Sequence, residues 1–194
     1  MARAHANSSA DHEPPEQTVT DAIDLLTRDH LLVDELFASL LQAAPQQLDP
    51  LARRLCKMVR IHAQIEEELF YPTARRALGD PGMIEEAERE HEEAEEAIKR
   101  LESITSDDSQ FLPTIEALRA MISAHVASEE AELFPKVRKA SIDLVALGIT
   151  LAERRDTLMD VLGLHGDDEE GAANMRDMLR PPAARASTLN VRRQ

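Results

Sequence analysis

The sequence predicts an all-α protein, an up-down antiparallel four-helix bundle followed by an additional C-terminal helix. Aromatic residues make up only 3% of the 194 residues and glycine is rare, whereas the helix-forming residues Ala, Leu, Glu and Arg dominate. Apolar residues also recur at intervals of three and four along most of the chain, the spacing of amphipathic helices. Since no stretch alternates convincingly between apolar and polar residues, strands are not expected.

Four amphipathic stripes between residues 20 and 140 define the helices of the predicted bundle. Their boundaries are marked by capping and proline signals, namely Thr20, Asp49-Pro50, Gly79 and Asp80-Pro81. The fourth helix follows the polar loop SDDSQ. The loops between the stripes are short, so consecutive helices should be antiparallel neighbours.

The segments outside this bundle have different compositions. Residues 141–164 carry leucines in helical phase and predict a fifth helix, which packs either on the bundle or on a dimer partner. Residues 1–19 and 165–194 are polar and contain paired prolines, which predicts two disordered tails.

The charge and the cysteine content narrow the function classes. A formal net charge of −15 argues against binding to nucleic acids or to anionic membranes. No segment approaches the roughly 20 apolar residues that a membrane-spanning helix needs, and the N-terminus lacks the apolar core of a signal peptide. The single cysteine, Cys56, permits no intrachain disulfide, which favours a cytoplasmic protein.

Histidines occur at one position within each of the four stripes. They are His30, His62, His91 and His125. A lone histidine on an apolar helix face is usually a core residue whose hydrogen bonds are satisfied. Four such placements in four consecutive helices put four imidazoles into the interior of one bundle, which favours a metal site over that simpler interpretation.

Two glutamates accompany the histidines of the second and fourth helices. Glu66 follows His62 by four residues and Glu129 follows His125 by four, so each pair shares one helix face. An unpaired buried carboxylate costs several kcal/mol, and a metal ion would supply the compensating charge. Four imidazoles and two carboxylates indicate a di-iron or di-manganese centre, whereas structural zinc would more often involve cysteine.

The remaining candidates have weaker signals. Glu95 lies four residues after His91 and is a further candidate ligand, or a hydrogen-bond acceptor behind a ligand. Neighbouring glutamates are expected to form a solvated surface, namely Glu67, Glu68, Glu130 and Glu132. Tyr71 and Cys56 are interpreted as packing residues, and a kink or helix end is expected at Pro72 and Pro135.

The order H…HxxxE…H…HxxxE, with ELFYP and ELFP after the paired motifs, resembles the hemerythrin-like (HHE cation-binding) family over about residues 20–140. The resemblance implies a non-haem di-iron centre, with positions open for water, an oxo or hydroxo bridge, or a diatomic ligand. It further implies that His30 and His62 bind one iron and that His91 and His125 bind the other. Glu66 and Glu129 would bridge the two ions.

Two departures from the oxygen-carrying hemerythrins shape the functional expectation. Those proteins have a second histidine where Glu95 stands here, and an aspartate where Glu130 stands. The pattern is closer to the bacterial H-HxxxE-H-HxxxE branch. Open coordination positions on two irons inside the bundle predict reaction with O₂, peroxide or NO, in oxidative or nitrosative stress or in oxygen sensing, with turnover left open. A monomer or homodimer is expected. The alternative is an iron storage or iron-delivery module without turnover.

Overall fold

The computed structural model describes residues 21–79 and 81–164, and these residues form helices joined by short loops. The α-helices are α1 (Ala22–Gln42), α2 (Pro45–Ile65), α3 (Tyr71–Leu78), α4 (Gly82–Glu102), α5 (Phe111–Ser128), α6 (Phe134–Lys139) and α7 (Leu144–Val161). Two π-helical turns, π1 (Glu66–Phe70) and π2 (Glu129–Leu133), connect α2 to α3 and α5 to α6. The predicted tails, 1–19 and 165–194, lie outside the described residues.

The bundle consists of four continuous helical rods. The first rod is α1, the second is α2 with π1 and α3, the third is α4, and the fourth is α5 with π2 and α6. Neighbouring rods contact each other around the bundle, from α1 to α2, α2 to α4, α4 to α5 and α5 back to α1. Burial of the apolar stripes holds these rods together. The stripes predicted for α1 and α4 are buried at every position, namely Ile23, Leu26, His30, Val33, Phe37 and Leu40 in α1, and Ile84, Ala87, His91, Ala94, Ile98 and Leu101 in α4. Burying one large aliphatic side chain contributes about 1.5–3 kcal/mol, so the stripes account for the all-α architecture.

The beginnings of two helices differ from the sequence-based prediction. The helix predicted to begin at Asp49-Pro50 begins at Pro45 instead, after the N-cap residue Ala44. The Gln47 side chain accepts a hydrogen bond from the Ala44 amide, and the Asp49 carboxylate accepts hydrogen bonds from Ser106 in the α4–α5 loop. Helix α1 begins one residue later than predicted, because Asp21 caps it with its side chain.

The two ends of the α3–α4 connection also bear on the predicted boundaries. Gly79 adopts a left-handed conformation with φ 66° and ends α3, as predicted. Asp80 lies outside the described residues, and Pro81 occupies the N-cap position of α4.

Each π turn begins at one of the candidate glutamates and ends just before a proline-containing helix. In π1 the Tyr71 amide donates to the Glu66 carbonyl, and in π2 the Phe134 amide donates to the Glu129 carbonyl. Pro72 and Pro135 follow as the second residues of α3 and α6, so neither proline ends its rod. The extra residue in each π turn rotates the residues that follow it relative to a regular α-helix.

Helix α7 packs on α1 and α2 through the apolar residues Leu151, Leu158 and Met159. Two adjacent arginines of α7 form ion pairs with the bundle, Arg154 with Glu68 and Arg155 with Asp29. The fifth helix therefore lies against the bundle within a single chain. None of the helices that the structure describes is long and apolar enough to cross a membrane.

Candidate metal centre

Four imidazoles meet in the interior of the bundle, one from each rod. His30, His62, His91 and His125 are all buried. They form two pairs, with the Nε2 atoms of His30 and His62 3.1 Å apart and those of His91 and His125 also 3.1 Å apart. Because each histidine lies within a buried apolar stripe, packing of the rods brings all four Nε2 atoms to one centre.

The two glutamates at i+4 join the two histidine pairs. The Glu66 Oε2 atom lies 3.2 Å from His62 Nε2 and 3.4 Å from His91 Nε2. The Glu129 Oε2 atom lies 3.5 Å from both His30 Nε2 and His125 Nε2. Each carboxylate therefore contacts one imidazole of each pair, which is the arrangement that a ligand bridging two ions would need.

A second set of carboxylates lies behind the imidazoles. Three histidines place Nδ1 2.9 Å from a carboxylate oxygen, His30 from Glu130, His91 from Glu67, and His125 from Glu90. A carboxylate can only accept, so Nδ1 carries the proton in these bonds, and Nε2 is the nitrogen that faces the centre and can bind a metal ion once it is free of its own proton. Glu67 and Glu130 were expected to be solvated surface, and although both are partly exposed, each orients a histidine.

Tyr71 lies at the centre of the site, contrary to its interpretation as a packing residue only. Its hydroxyl donates to Glu129 Oε1 at 2.8 Å, and it lies 3.3 Å from Glu66 Oε2. The ring packs against His91 at a centroid distance of 5.6 Å. Phe134 occupies the equivalent position after Glu129 and stacks on His30 at 5.8 Å.

The missed role of Tyr71 has a structural reason. Regular α-helical spacing places Leu69 on the inner face, whereas π1 shifts the register so that Phe70 and Tyr71 are fully buried. A signal was present in the sequence, because each copy of the motif has proline six residues after its glutamate. Aligning Pro72 with Pro135 pairs Tyr71 with Phe134 and predicts the same inward position for both.

Glu95 does not lie with the other candidate ligands. Its two carboxylate oxygens accept hydrogen bonds from Arg60 Nε at 2.8 Å and Arg60 Nη2 at 3.0 Å. About a third of the side chain is exposed. The ion pair with Arg60 holds this carboxylate at the edge of the bundle, so the structure does not support Glu95 as an additional ligand. Glu68 is likewise held by Arg154 outside the centre.

Protonation balances the charge of the metal-free centre. Although burial opposes ionisation, the neighbouring His62 and His91 hold the pKa of Glu66 well below its usual value. Burial alone would lower the pKa of His91, but hydrogen bonds to Glu66 and Glu67 raise it to about 9. Burial, together with the charges of Glu66 and Glu129, raises the pKa of Tyr71 well above its usual value, so its hydroxyl keeps its proton.

A mostly apolar cavity of about 430 Å³ is lined by all four imidazoles. Its walls include apolar residues, among them Val33, Val59, Ala94 and Ile98, and also the charged residues Arg60, Glu67, Glu92 and Glu95. The cavity therefore places open volume directly beside the imidazoles.

The residues present fit a pair of metal ions. Two overlapping groups of side chains offer ligand atoms, and within each group these atoms all lie within 4.8 Å of one another. One group is His30, His62, Glu66 and Glu129, and the other is Glu66, His91 and His125. Glu66 Oε1 and Glu129 Oε2 are buried without a hydrogen-bond partner, which leaves ligand capacity directed into the centre.

A helical bundle that encloses paired imidazoles and shared carboxylates defines the class of metal-binding four-helix-bundle proteins. The family model of the hemerythrin HHE cation binding domain matches residues 21–137. The chain therefore belongs to the hemerythrin HHE cation-binding family, as the motif order indicated. The histidine–carboxylate groups support cation binding in this family member.

Individual relatives are more distant. A crystal structure of a hemerythrin HHE cation binding domain-containing protein from Mycobacterium kansasii has the same fold, with a TM-score of 0.66 at 22% identity. That match covers 80% of this chain and 98% of the other. A hemerythrin-like protein of Schizosaccharomyces pombe is 29% identical over 80 residues, which is 40% of this chain and 39% of that protein.

A protein named DNA nickase, from the cyanobacterium Nostoc, is also similar. It is 29% identical over 116 residues, which is 59% of this chain and 33% of the relative. The chain thus spans only about a third to two fifths of the length of the curated relatives it matches.

We expect the metal-free protein to lose stability as the pH rises from about 6.5 to about 9. The pKa of His91 is raised from 6.5 to about 9 in the folded state, so the stabilisation is complete below 6.5 and is lost as His91 releases its proton. Thermal unfolding of chelator-treated protein across this range measures the effect. A His91→Gln variant is the control and should show a smaller decline, whereas an equal decline would contradict the assignment.

Tyr71→Phe should lower the free energy of unfolding of the metal-free protein by about 1–3 kcal/mol, because buried Glu129 loses its hydrogen-bond donor. The phenyl ring keeps the packing, as Phe134 does at the equivalent position. Denaturant titrations with and without bound Zn²⁺ measure the effect. The difference should shrink in the metal-bound protein, where a cation compensates Glu129, and equal stabilities without metal would contradict the role of the hydroxyl.

Proposed function

We propose that the chain binds two iron ions at this centre and reacts there with O₂, peroxide or NO. His30 and His62 would hold one ion, His91 and His125 the other, and Glu66 and Glu129 would bridge them. The observation that carries this proposal is that each buried glutamate contacts one imidazole of each pair. Bound iron would supply redox chemistry and open coordination positions at the end of the apolar cavity.

The chain's own residues would keep the site ready for metal. Glu67, Glu90 and Glu130 retain the protons on Nδ1 of their histidines, so that the inner nitrogens stay available as ligands. Tyr71 holds a proton on its hydroxyl, directed at Glu129. The apolar part of the cavity wall, including Val33, Val59, Ala94 and Ile98, would let a small neutral molecule reach the imidazoles.

The ligand chemistry favours iron over structural zinc. A mixed set of nitrogen and oxygen ligands suits iron or manganese, whereas structural zinc sites usually include thiolates and close at four ligands. Cys56 is buried and its pKa is raised by burial to about 11, so it remains a thiol in the core. A reducing cytoplasm, which a single free cysteine favours, would keep the metal supplied as Fe²⁺.

Iron storage or delivery without turnover is the second candidate function. A cavity of about 260 Å³ adjoins Glu129, and its lining includes three further glutamates, Glu86, Glu90 and Glu132. These carboxylates would favour the approach of a cation to Glu129. The net charge of −15 would further attract Fe²⁺.

The similarity to the Nostoc protein does not support DNA nicking by this chain. The match covers 33% of that protein, so most of its length has no counterpart in the aligned region. A net charge of −15 repels a DNA backbone, and proteins that bind it usually present a basic surface.

Substitutions should separate the ligands from their neighbours. His62→Ala and Glu66→Ala should each reduce bound iron from about two ions per chain and remove the metal-dependent gain in thermal stability, since each removes an inner ligand. Glu95→Gln is the matched control and should retain both, because Glu95 pairs with Arg60. Elemental analysis and thermal melts provide the measurements, and unchanged metal content in both inner-ligand variants would refute the site.

Anaerobic reconstitution with Fe²⁺, followed by separate addition of O₂, peroxide or NO, tests the reactivity. We expect a ligand-to-metal charge-transfer band after addition and consumption of at least one of the three molecules. Glu95→Gln serves as a reactive control and His62→Ala as an inactive one. Two bound irons with no band and no consumption would reject the redox proposal, and iron transfer to a chelating acceptor would then support storage or delivery.

A further inference from the structure

The four imidazoles of the centre differ in the hydrogen bonding of Nδ1, the ring nitrogen that faces away from the centre. Three of them have Nδ1 2.9 Å from a carboxylate oxygen. His62 Nδ1 is also buried, but it lies 4.0 Å from Asp29 Oδ2, the carboxylate facing it, and has no hydrogen-bond partner. This distance is too long for a hydrogen bond.

The histidine pattern of the first two bundle helices recurs in the last two, since His62 follows His30 by 32 residues and His125 follows His91 by 34. In this internal repeat, Asp29 occupies the place of an expected hydrogen-bond acceptor. Asp29 precedes His30 in the first half of the repeat, as Glu90 precedes His91 in the second. Glu90 accepts the hydrogen bond from His125, and the corresponding partner of Asp29 would be His62. Three of the four histidines therefore have a carboxylate acceptor for Nδ1–H, and His62 lacks one.

Arg155 of α7 is what engages Asp29. Its Nε atom lies 2.9 Å from Asp29 Oδ1 and 3.0 Å from Oδ2, and Asp29 is only 3% exposed. A buried carboxylate is stabilised more by a guanidinium than by a neutral imidazole N–H. Burial of Leu151 and Leu158 fixes α7 on the bundle, so the Arg155 side chain extends from a packed helix.

We propose that Arg155 holds Asp29 away from His62 and thereby makes the His30–His62 position the weaker and more exchangeable of the two metal positions. The inference rests on the proposed metal site and identifies Arg155 as a positioning residue. A carboxylate that accepts the Nδ1–H hydrogen bond of a histidine ligand orients that ligand and increases its basicity. Loss of such an acceptor typically lowers metal affinity by about 10–100-fold. At the His91–His125 position both histidines have such an acceptor, whereas at the His30–His62 position only His30 does.

Cobalt titration of the chelator-treated full-length chain tests this inference without redox chemistry. Calorimetry of the wild type should give two dissociation constants that differ by about 10–100-fold. In Arg155→Gln, Asp29 loses its cation and can accept from His62, so the difference should narrow to less than about 10-fold through tighter binding at the weaker position.

Three further variants make the comparison specific. Arg154→Gln removes the same charge from the adjacent residue, whose partner Glu68 lies outside the centre, and should keep the wild-type difference. Arg155→Lys retains a cation beside Asp29 and should also keep the wild-type difference between the two dissociation constants. Adding Asp29→Ala to Arg155→Gln should restore a large difference, because His62 again lacks an acceptor.

A measurement on the wild type does not depend on the folding of any variant. In ¹⁵N-labelled protein loaded with Zn²⁺, three of the four ligand imidazoles should show a slowly exchanging Nδ1 proton, and His62 should not. A fourth protected proton, assigned to His62, would overturn the inference.

The outcomes also separate this inference from the proposed function. If the wild type binds no metal ion, both fail. If it binds two ions and Arg155→Gln keeps the wild-type difference, or Arg154→Gln narrows it equally, only the role of Arg155 is refuted.

Discussion

The burial of two glutamates, Glu66 and Glu129, is the constraint on which the rest of the centre depends. Both side chains are almost completely inaccessible to water, and an uncompensated buried carboxylate would destabilise the fold by several kcal/mol. In the metal-free chain, two groups compensate these carboxylates. They are the proton that His91 retains because its pKa is raised, and the hydrogen bond that the Tyr71 hydroxyl donates. A bound cation would take the place of the extra imidazole proton while Tyr71 keeps its own, so metal binding would be coupled to proton release from His91.

The two π turns connect this electrostatic requirement to the backbone. α-Helical spacing is sufficient to place His62 and Glu66 on one face, but it does not bring Tyr71 to the same centre. The additional residue in π1 does so, and the equivalent turn π2 brings Phe134 against His30. Because π turns tend to occur at functional sites, their position at both glutamates is consistent with selection for the centre over helix stability.

The sequence was sufficient for the features that depend on local periodicity. The four rods and the positions of all six candidate ligands follow from spacings of three and four residues, because those spacings determine which side chains share a face. Features that depend on contacts between rods could not be predicted in this way. Glu67, five residues after His62, orients His91 on a different rod, and Glu95, four residues after His91, pairs with Arg60 at the edge of the bundle.

A centre built from a repeated motif is symmetric by default, so its differences carry the most information. Tyr71 packs against His91 and adds a hydroxyl that Phe134 lacks. Glu90 supports His125, whereas its counterpart Asp29 is held by Arg155. Both differences leave the His91–His125 pair with more polar support than the His30–His62 pair. Two ions held by such a site would have unequal environments, which suits chemistry in which one ion retains its ligands while the other accepts a reactant or exchanges.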